Sequence, residues 1–388
     1  MGVAQKARVK TNNYQKIIQA VLVVVILFSF FSVIWQNRAQ YLDNTYWKQF
    51  PALKKGYYES IYKDKHGTWI PDQALYSYIG GALIRGESPI LLNPEVPPLG
   101  TYLIGISTLI FGNQNIIIAI FGALVLLLMY LIGKQIYRSS IVALLPPLFM
   151  SFEPIFRNQL AYVPLLDIIQ LFFLLSIVYF FNKSISKNYK IYFLLVIIFL
   201  GFFISTKFFG TGIAVLGSLL AVLILNFNWK RFIFFLELIP LSVVILYATY
   251  FRVLISGYPV HKFLGIQKWI YLYNMGHVTQ PFTLWPLLFF NQWHVWFGNI
   301  PVITDSQWMI TWPITAVLSF LTIFLYFFVL KHKKKEIEIL FSWVVAYILL
   351  MSFVQISARY FVILIPFLYI ISIYGITEIY RFIKTKIR

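Results

Sequence analysis

The sequence contains no cysteine, and only 13 of its 388 residues are acidic. Without cysteine, disulfides, thiolate nucleophiles and Cys-ligated metal sites are all excluded. A glycine-rich nucleotide-binding loop is also missing, which removes the usual phosphate cradle of enzymes that use nucleotide substrates. Neither an internal repeat nor a low-complexity linker interrupts the chain, so residues 1–388 read as a single domain.

Apolar surface is abundant instead. Hydrophobic residues make up 60% of the chain and aromatic residues 19%, and the mean hydropathy is +0.77. Several runs are longer than the ~18–20 residues needed to cross a bilayer as a helix. The chain therefore reads as an all-α polytopic membrane protein. About ten transmembrane helices are expected, near 17–35, 114–133, 139–152, 162–181, 190–205, 210–227, 232–251, 309–330, 337–354 and 360–380. The first run follows the basic start "QKARVKTNNYQK". It reads as a retained helix rather than a cleaved signal peptide, because it is long and no small-x-small site follows it.

The net charge of +19 would suggest a nucleic-acid partner in a soluble protein. Here its distribution gives orientation, and no nucleic acid is expected. The N-terminal tail, "GKQIYR", "NKSISKNYK", "NWKR", "KHKKKE" and the tail "RFIKTKIR" hold 19 of the 32 Lys and Arg. The short connections between them hold only Arg157, Lys207 and Arg359. By the positive-inside rule both termini are cytoplasmic, and the long segments 36–113 and 252–308 lie outside. In the first segment, 72–86 places Leu75, Ile79 and Leu83 on one helical stripe, with Asp72 and Tyr76 off it. The stretch 98–112 reads as a helix in the outer interface, because a span there would invert every later loop.

The few charges in apolar surroundings are the candidates for chemistry. Asp72 follows Pro71 in a first helical turn, where it either caps the helix or serves as an ionised general base. Asp167 falls several residues into an expected span, at a cost of about 2.5–3.5 kcal/mol unless it is paired with a cation or caps a helix. Glu153 and Arg157 have the spacing of an exposed i,i+4 ion pair, worth about 0.3–0.5 kcal/mol. Lys207 either snorkels to headgroups or meets a lipid-linked phosphate. Arg359 either anchors its helix or forks onto a phosphate. Of the five histidines, His261, His277 and His294 lie in the second long segment. They lack i,i+4 spacing and have no acid among them, so a metal site is not favoured. A divalent cation held between Asp72 and Glu153 across a cavity stays open.

The run "PDQALYSYIGGALIRGESPILLNPEVPPLGTYL" resembles the first outer loop of the glycosyltransferase C (GT-C) superfamily. The likeness is to the branch of protein O-mannosyltransferases and aminoarabinose transferases. That branch carries an Asp-Glu pair, a helix, a Gly-containing turn and a Glu/His-x-Pro-Pro-Leu element, matched here by Asp72, the helix to Arg85, Gly86, and Glu95-Val96-Pro97-Pro98-Leu99. Gln73 stands where the family usually has Glu. "FEPIFRNQLAYVPLLDIIQLFF" resembles the second outer loop, with Glu153 as its acid and Asp167 as its embedded Asp; Arg157 falls earlier than the family's Arg. "FFISTKFFGTG" resembles a Ser/Thr-Lys-aromatic-x-Gly element and places Lys207. "GHVTQPFTLWPLL" is similar to the acceptor-side segment and places His277, although its aromatics also suit an interfacial belt. "SARYFVILIPFLYIISIYG" resembles the terminal helix, with Arg359 at its outer end.

The resemblance implies a GT-C fold and an inverting glycosyltransferase. It would move a sugar from a polyprenyl-phosphate donor to a hydroxyl acceptor at the outer face of the membrane, with no cofactor. Asp72 would be the catalytic base. Glu95, Glu153, Arg157, Lys207, His277 and Arg359 would bind substrate, and Pro97, Pro98 and Asp167 would shape the site. Richness in Lys and Ile without Cys suggests an AT-rich prokaryotic genome, hence the plasma membrane. A lipid-linked-sugar transporter or a non-catalytic assembly protein is the alternative, but inverted repeats and midplane helix breaks are not evident.

Overall fold

The computed structural model describes residues 3–386 apart from 64–65, 187–188, 208–209, 277–279, 296–301, 331–332 and 355. Within these residues every named element is helical. The N-terminal part comprises α1 (Val3–Gln36), α2 (Arg38–Leu42), α3 (Tyr46–Tyr58), α4 (Asp72–Ile84), α5 (Pro89–Leu92), α6 (Leu99–Phe111) and α7 (Ile116–Ile136). The central part comprises α8 (Ser140–Phe152), α9 (Pro154–Ala161), α10 (Asp167–Ser186), α11 (Tyr189–Ile204), α12 (Gly210–Leu225) and α13 (Trp229–Thr249). Then come α14 (Phe251–Ile255), α15 (Val260–Gly276), α16 (Leu284–Phe290), α17 (Thr311–Phe328), α18 (Glu338–Met351) and α19 (Ile365–Lys386). Short 3₁₀ turns at Lys335–Ile337 and Ala358–Ile363 precede the last two helices.

Each of the ten expected spans coincides with a helix, but not every helix is of spanning length. Five are long and apolar enough to cross a membrane, in α1, α7, α10, α13 and α17, and a sixth is possible if α8 and α9 form one span bent by 56°. The expected span 139–152 is therefore only 13 residues before the chain turns at Glu153. These spans identify a multi-pass membrane protein.

The core centres on α10, which packs between α7 and α11. Ile168, Ile169, Leu171, Leu175, Ile177 and Phe181 are all fully buried along it. By contrast α13 packs on α11 and leaves most of its surface outward, including Val243 and Val244, as expected where lipid is the solvent. The expected start of the fourth span is displaced. Residues 162–166 contain Pro164 and stay non-helical, so α10 begins at Asp167. Asp167 is thus the first residue of its helix, not a residue several positions inside it.

The segment 36–113 is a packed helical layer. Arg85 lies over the rings of Trp47 and Phe50, 4.6 Å and 4.2 Å from their centroids. The Tyr46 hydroxyl donates to the Ser77 carbonyl at 2.6 Å and that of Tyr57 to Leu92 at 2.5 Å. Helix α4 also departs from the expected one-sided pattern. Tyr76, Ser77 and Tyr78, off the Leu75–Ile79–Leu83 stripe, are buried as well. The reason is a close crossing of α4 and α6. A Cβ on Gly80 would lie 3.0 Å from the Gly105 nitrogen, and one on Gly105 only 2.4 Å from the Gly80 oxygen. Two backbones meeting without side chains bury the face that a periodicity argument leaves wet. At its far end α4 is stopped by Gly86, whose φ of 97° suits glycine. Helix α6 keeps Ile106, Leu109, Ile110 and Phe111 outward.

Candidate active site

Four charged residues from distant parts of the chain converge at the ends of α4, α10 and α11 and in the 3₁₀ turn before α19. Asp72 opens α4 after Pro71, whose extended backbone sets the helix start. Arg359 Nη1 donates to Asp72 Oδ2 at 2.5 Å across 287 positions of sequence. Both side chains remain partly accessible, at 24% for Asp72 and 30% for Arg359. Asp167, at the first turn of α10, accepts a hydrogen bond from Lys207 Nζ. That pair is far more enclosed, at 4% and 12%. Lys207 follows the end of α11, where the hydroxyls of Ser205 and Thr206 donate to the carbonyls of Gly201 and Phe202 at 2.6 Å and 2.7 Å. Those bonds satisfy helix-end acceptors and fix the turn that presents the lysine.

One aromatic ring joins the two pairs. Lys207 Nζ is 4.7 Å and Arg359 Cζ 5.5 Å from the centroid of Tyr360. Arg359 also feels Asp167 electrostatically, so each carboxylate balances part of the same cationic centre. Tyr76, one helical turn after Asp72, completes the surroundings. Burial, and then the nearby Asp72 carboxylate, hold its phenol well above the usual tyrosine range, so it stays a neutral hydroxyl.

The Pro-Pro-Leu element is pinned to this cluster. The Leu99 amide donates to the Ser205 carbonyl at 2.9 Å. A Cβ at Gly100 would come within 2.8 Å of Leu166 and 3.1 Å of Thr206, neighbours of Asp167 and Lys207. Pro97 and Pro98 are buried against the bundle. Glu95 is half-buried, its amide 3.2 Å from Asn93 Oδ1.

Other expected site residues have different partners. Glu153, at the turn between α8 and α9, is buried with both oxygens occupied: Trp312 Nε1 donates at 2.7 Å, and the Tyr369 hydroxyl donates to the other oxygen. Arg157 makes no ion pair with it. Its guanidinium instead reaches the Ser29 carbonyl and hydroxyl at 3.3 Å and 3.2 Å, tying α9 to α1. The expected exposed Glu153–Arg157 pair therefore does not form, because the bend after α8 turns the carboxylate into the bundle. Asp72 and Glu153, the pair left open for a divalent cation, are each hydrogen-bonded to other partners. Among the described residues no three His, Asp or Glu come together to hold a metal. His277 lies outside the described residues.

The second long segment is tethered close to Arg359. Trp293 Nε1 donates to the Ile356 carbonyl at 2.9 Å, and Trp285 Nε1 to Ser352 Oγ at 3.1 Å. Trp285 and Trp293 thus dock by their indole N–H groups onto Ser352 and Ile356, shortly before the arginine turn. Sequence reasoning did not single out Tyr360, Trp312 or Tyr369. Tyr360 had one available signal, its position beside Arg359 in "SARYF".

The family model for dolichyl-phosphate-mannose-protein mannosyltransferase matches residues 115–257. No curated protein matches the sequence. A crystal structure of ArnT from Cupriavidus metallidurans bound to undecaprenyl phosphate is similar with a TM-score of 0.58 at 14% identity, covering 92% of this chain and 59% of that one. This chain therefore spans about three fifths of the length of the ArnT it matches. The apo-state structure of the same ArnT aligns with a TM-score of 0.48 at 14% identity, over 84% and 58% of the two chains. The sequence match and the fold likeness agree with the resemblance carried by the outer-loop motifs, and the chain has the fold of the glycosyltransferase C superfamily.

Proposed function

We propose that this protein is a membrane-embedded inverting glycosyltransferase that takes a sugar from a polyprenyl-phosphate donor and passes it to a hydroxyl acceptor. The observation that carries the reading is the convergence of Asp72, Arg359, Lys207 and Asp167 around Tyr360. Two carboxylates and two cations make a cluster with no formal net charge. Such a cluster can accept an anionic phosphate by exchange, the phosphate displacing one carboxylate from its cation. Arg359 is the more accessible cation and the partner of the proposed base, so it is the one to exchange.

In the reaction, the acceptor hydroxyl attacks the anomeric carbon from the face opposite the phosphate. Its C–O bond forms as the bond from that carbon to the phosphate oxygen breaks. Asp72 takes the hydroxyl proton. The electron pair of the broken bond stays with the departing polyprenyl phosphate, whose growing charge is stabilised by Arg359 and Lys207. Moving Arg359 toward the phosphate also frees Asp72 to act as a base. Displacement from the opposite face inverts the configuration, as in inverting hydrolysis with water replaced by a hydroxyl. Glu95, Pro97 and Pro98 shape the site next to this centre, and Asp167 holds Lys207 in place.

The arrangement of charge along α19 supports an outer-face site. Arg359 precedes its first turn, while Arg381, near its other end, shares a field with Lys334 and Arg138. A helix of 22 residues is about 33 Å long, roughly a hydrocarbon core. These basic residues therefore stand toward the opposite end of α19 from Arg359, which favours cytoplasmic termini and a site facing outward. The test is Asp72→Asn in purified protein given a radiolabelled polyprenyl-phosphate sugar. Lost transfer with retained lipid binding is the expected result; undiminished transfer rules out Asp72 as the base.

A further inference from the structure

Resting on that reading of the cluster, we propose that Tyr360 is a positioning residue whose ring holds Lys207 and Arg359 side by side, so that one lipid-linked phosphate bridges both. Two cations beside each other repel, and the carboxylates alone would draw them apart, Lys207 to Asp167 and Arg359 to Asp72. The negative face of an aromatic ring attracts both at once. Tyr360 suits this task because the fold fixes it independently of the charges. Its carbonyl accepts the Tyr347 hydroxyl at 2.7 Å, and its amide donates to the Ser357 carbonyl at 3.0 Å. The next residue, Phe361, stacks on buried Trp312 with ring centroids 4.9 Å apart. Each cation spends a single hydrogen bond on its carboxylate among the described residues. An ammonium has three donors and a guanidinium five, so both keep donors for phosphate oxygens.

The ring has a second consequence. When Arg359 leaves Asp72 for a phosphate, the tyrosine face limits how far it can swing, and the guanidinium remains beside Lys207. Tyr360 therefore sets donor affinity through the two cations and touches no reacting atom itself.

The experiment measures binding of polyprenyl phosphate in nanodiscs to full-length protein, with inorganic phosphate as a parallel probe. Tyr360→Phe keeps the ring and should bind within about 3-fold of wild type, whereas Tyr360→Leu should bind about 10–100-fold more weakly. Tyr360→Trp should restore most of the loss. Phenylalanines of increasing fluorination at position 360 keep the shape and weaken the ring face, so affinity should fall stepwise along the series; this arm also serves if the leucine variant does not fold. Leucine binding like wild type, or affinity indifferent to fluorination, overturns the role of the ring while leaving the phosphate site intact. Wild type that fails to bind polyprenyl phosphate overturns the phosphate reading itself. If inorganic phosphate alone shows the same ring dependence and the lipid shows none, the proposal for a lipid-linked phosphate is wrong.

Discussion

Two carboxylates from one motif, Asp167 and Glu153, meet opposite fates in this bundle. Asp167 is paired with a cation, Lys207, and belongs to a cluster that alternates in charge. Glu153 is held by neutral donors, the Trp312 indole and the Tyr369 phenol, with Phe149 stacked on Tyr369. Glu338 repeats the second pattern, accepting from Tyr326 and Asn226. A carboxylate with a cationic partner can hand that partner to another anion. One held by phenol and indole has no cation to hand over, and its bonds join helices, here α8, α9, α17 and α19. The difference separates a site from a clamp, although both begin as a rare acid in apolar sequence.

The comparison can be broken most directly at the accessible end of the charged cluster. Asp72→Asn should lower transfer by about 10²–10⁴-fold with little effect on stability, measured by turnover of a radiolabelled donor. Removing a buried partner should act mainly on the fold. Lys207→Ala leaves Asp167 enclosed without its cation and should cost about 3–5 kcal/mol, while the double change with Asp167→Ala should recover much of it. Thermal unfolding in detergent checks this, and equal losses in both variants would deny the pairing.

A smaller and purely structural effect is expected at the clamp. Glu153→Gln turns one acceptor into a donor facing a donor and should destabilise by about 1–3 kcal/mol without changing donor affinity in the protein that remains folded. A lost affinity at unchanged stability would return Glu153 to the binding site. The smallest effect concerns Asp43, between α2 and α3. Hydrogen bonds from the Thr45 side chain and amide hold its carboxyl below the usual range, more than its slight burial raises it. Its contribution is therefore fully present above the unfolded pKa and lost as pH falls through the lower folded value. Asp43→Asn should flatten the acid side of the stability curve below about pH 5, with no change in transfer.

Much of this was written along the chain. Apolar runs mark the spans because bilayer thickness fixes their length, and Lys and Arg placement predicts an orientation because charge resists crossing. The order Asp72, Gly86, Glu95-Val96-Pro97-Pro98-Leu99 and Lys207 marks the motifs because local geometry there depends on residue type. Folding decided which charges meet. Asp72 and Arg359 are 287 positions apart, and no periodicity predicts their bond. The same limit hid Tyr360, whose ring acquires meaning only when two cations from α11 and the arginine turn arrive at it. It also disguised Glu153, which shares its motif and rarity with Asp167 but whose partners come from α17 and α19. Local sequence sets the cost of placing a charge in an apolar setting. Which group compensates that cost is a matter of packing between distant helices, and so belongs to the tertiary structure.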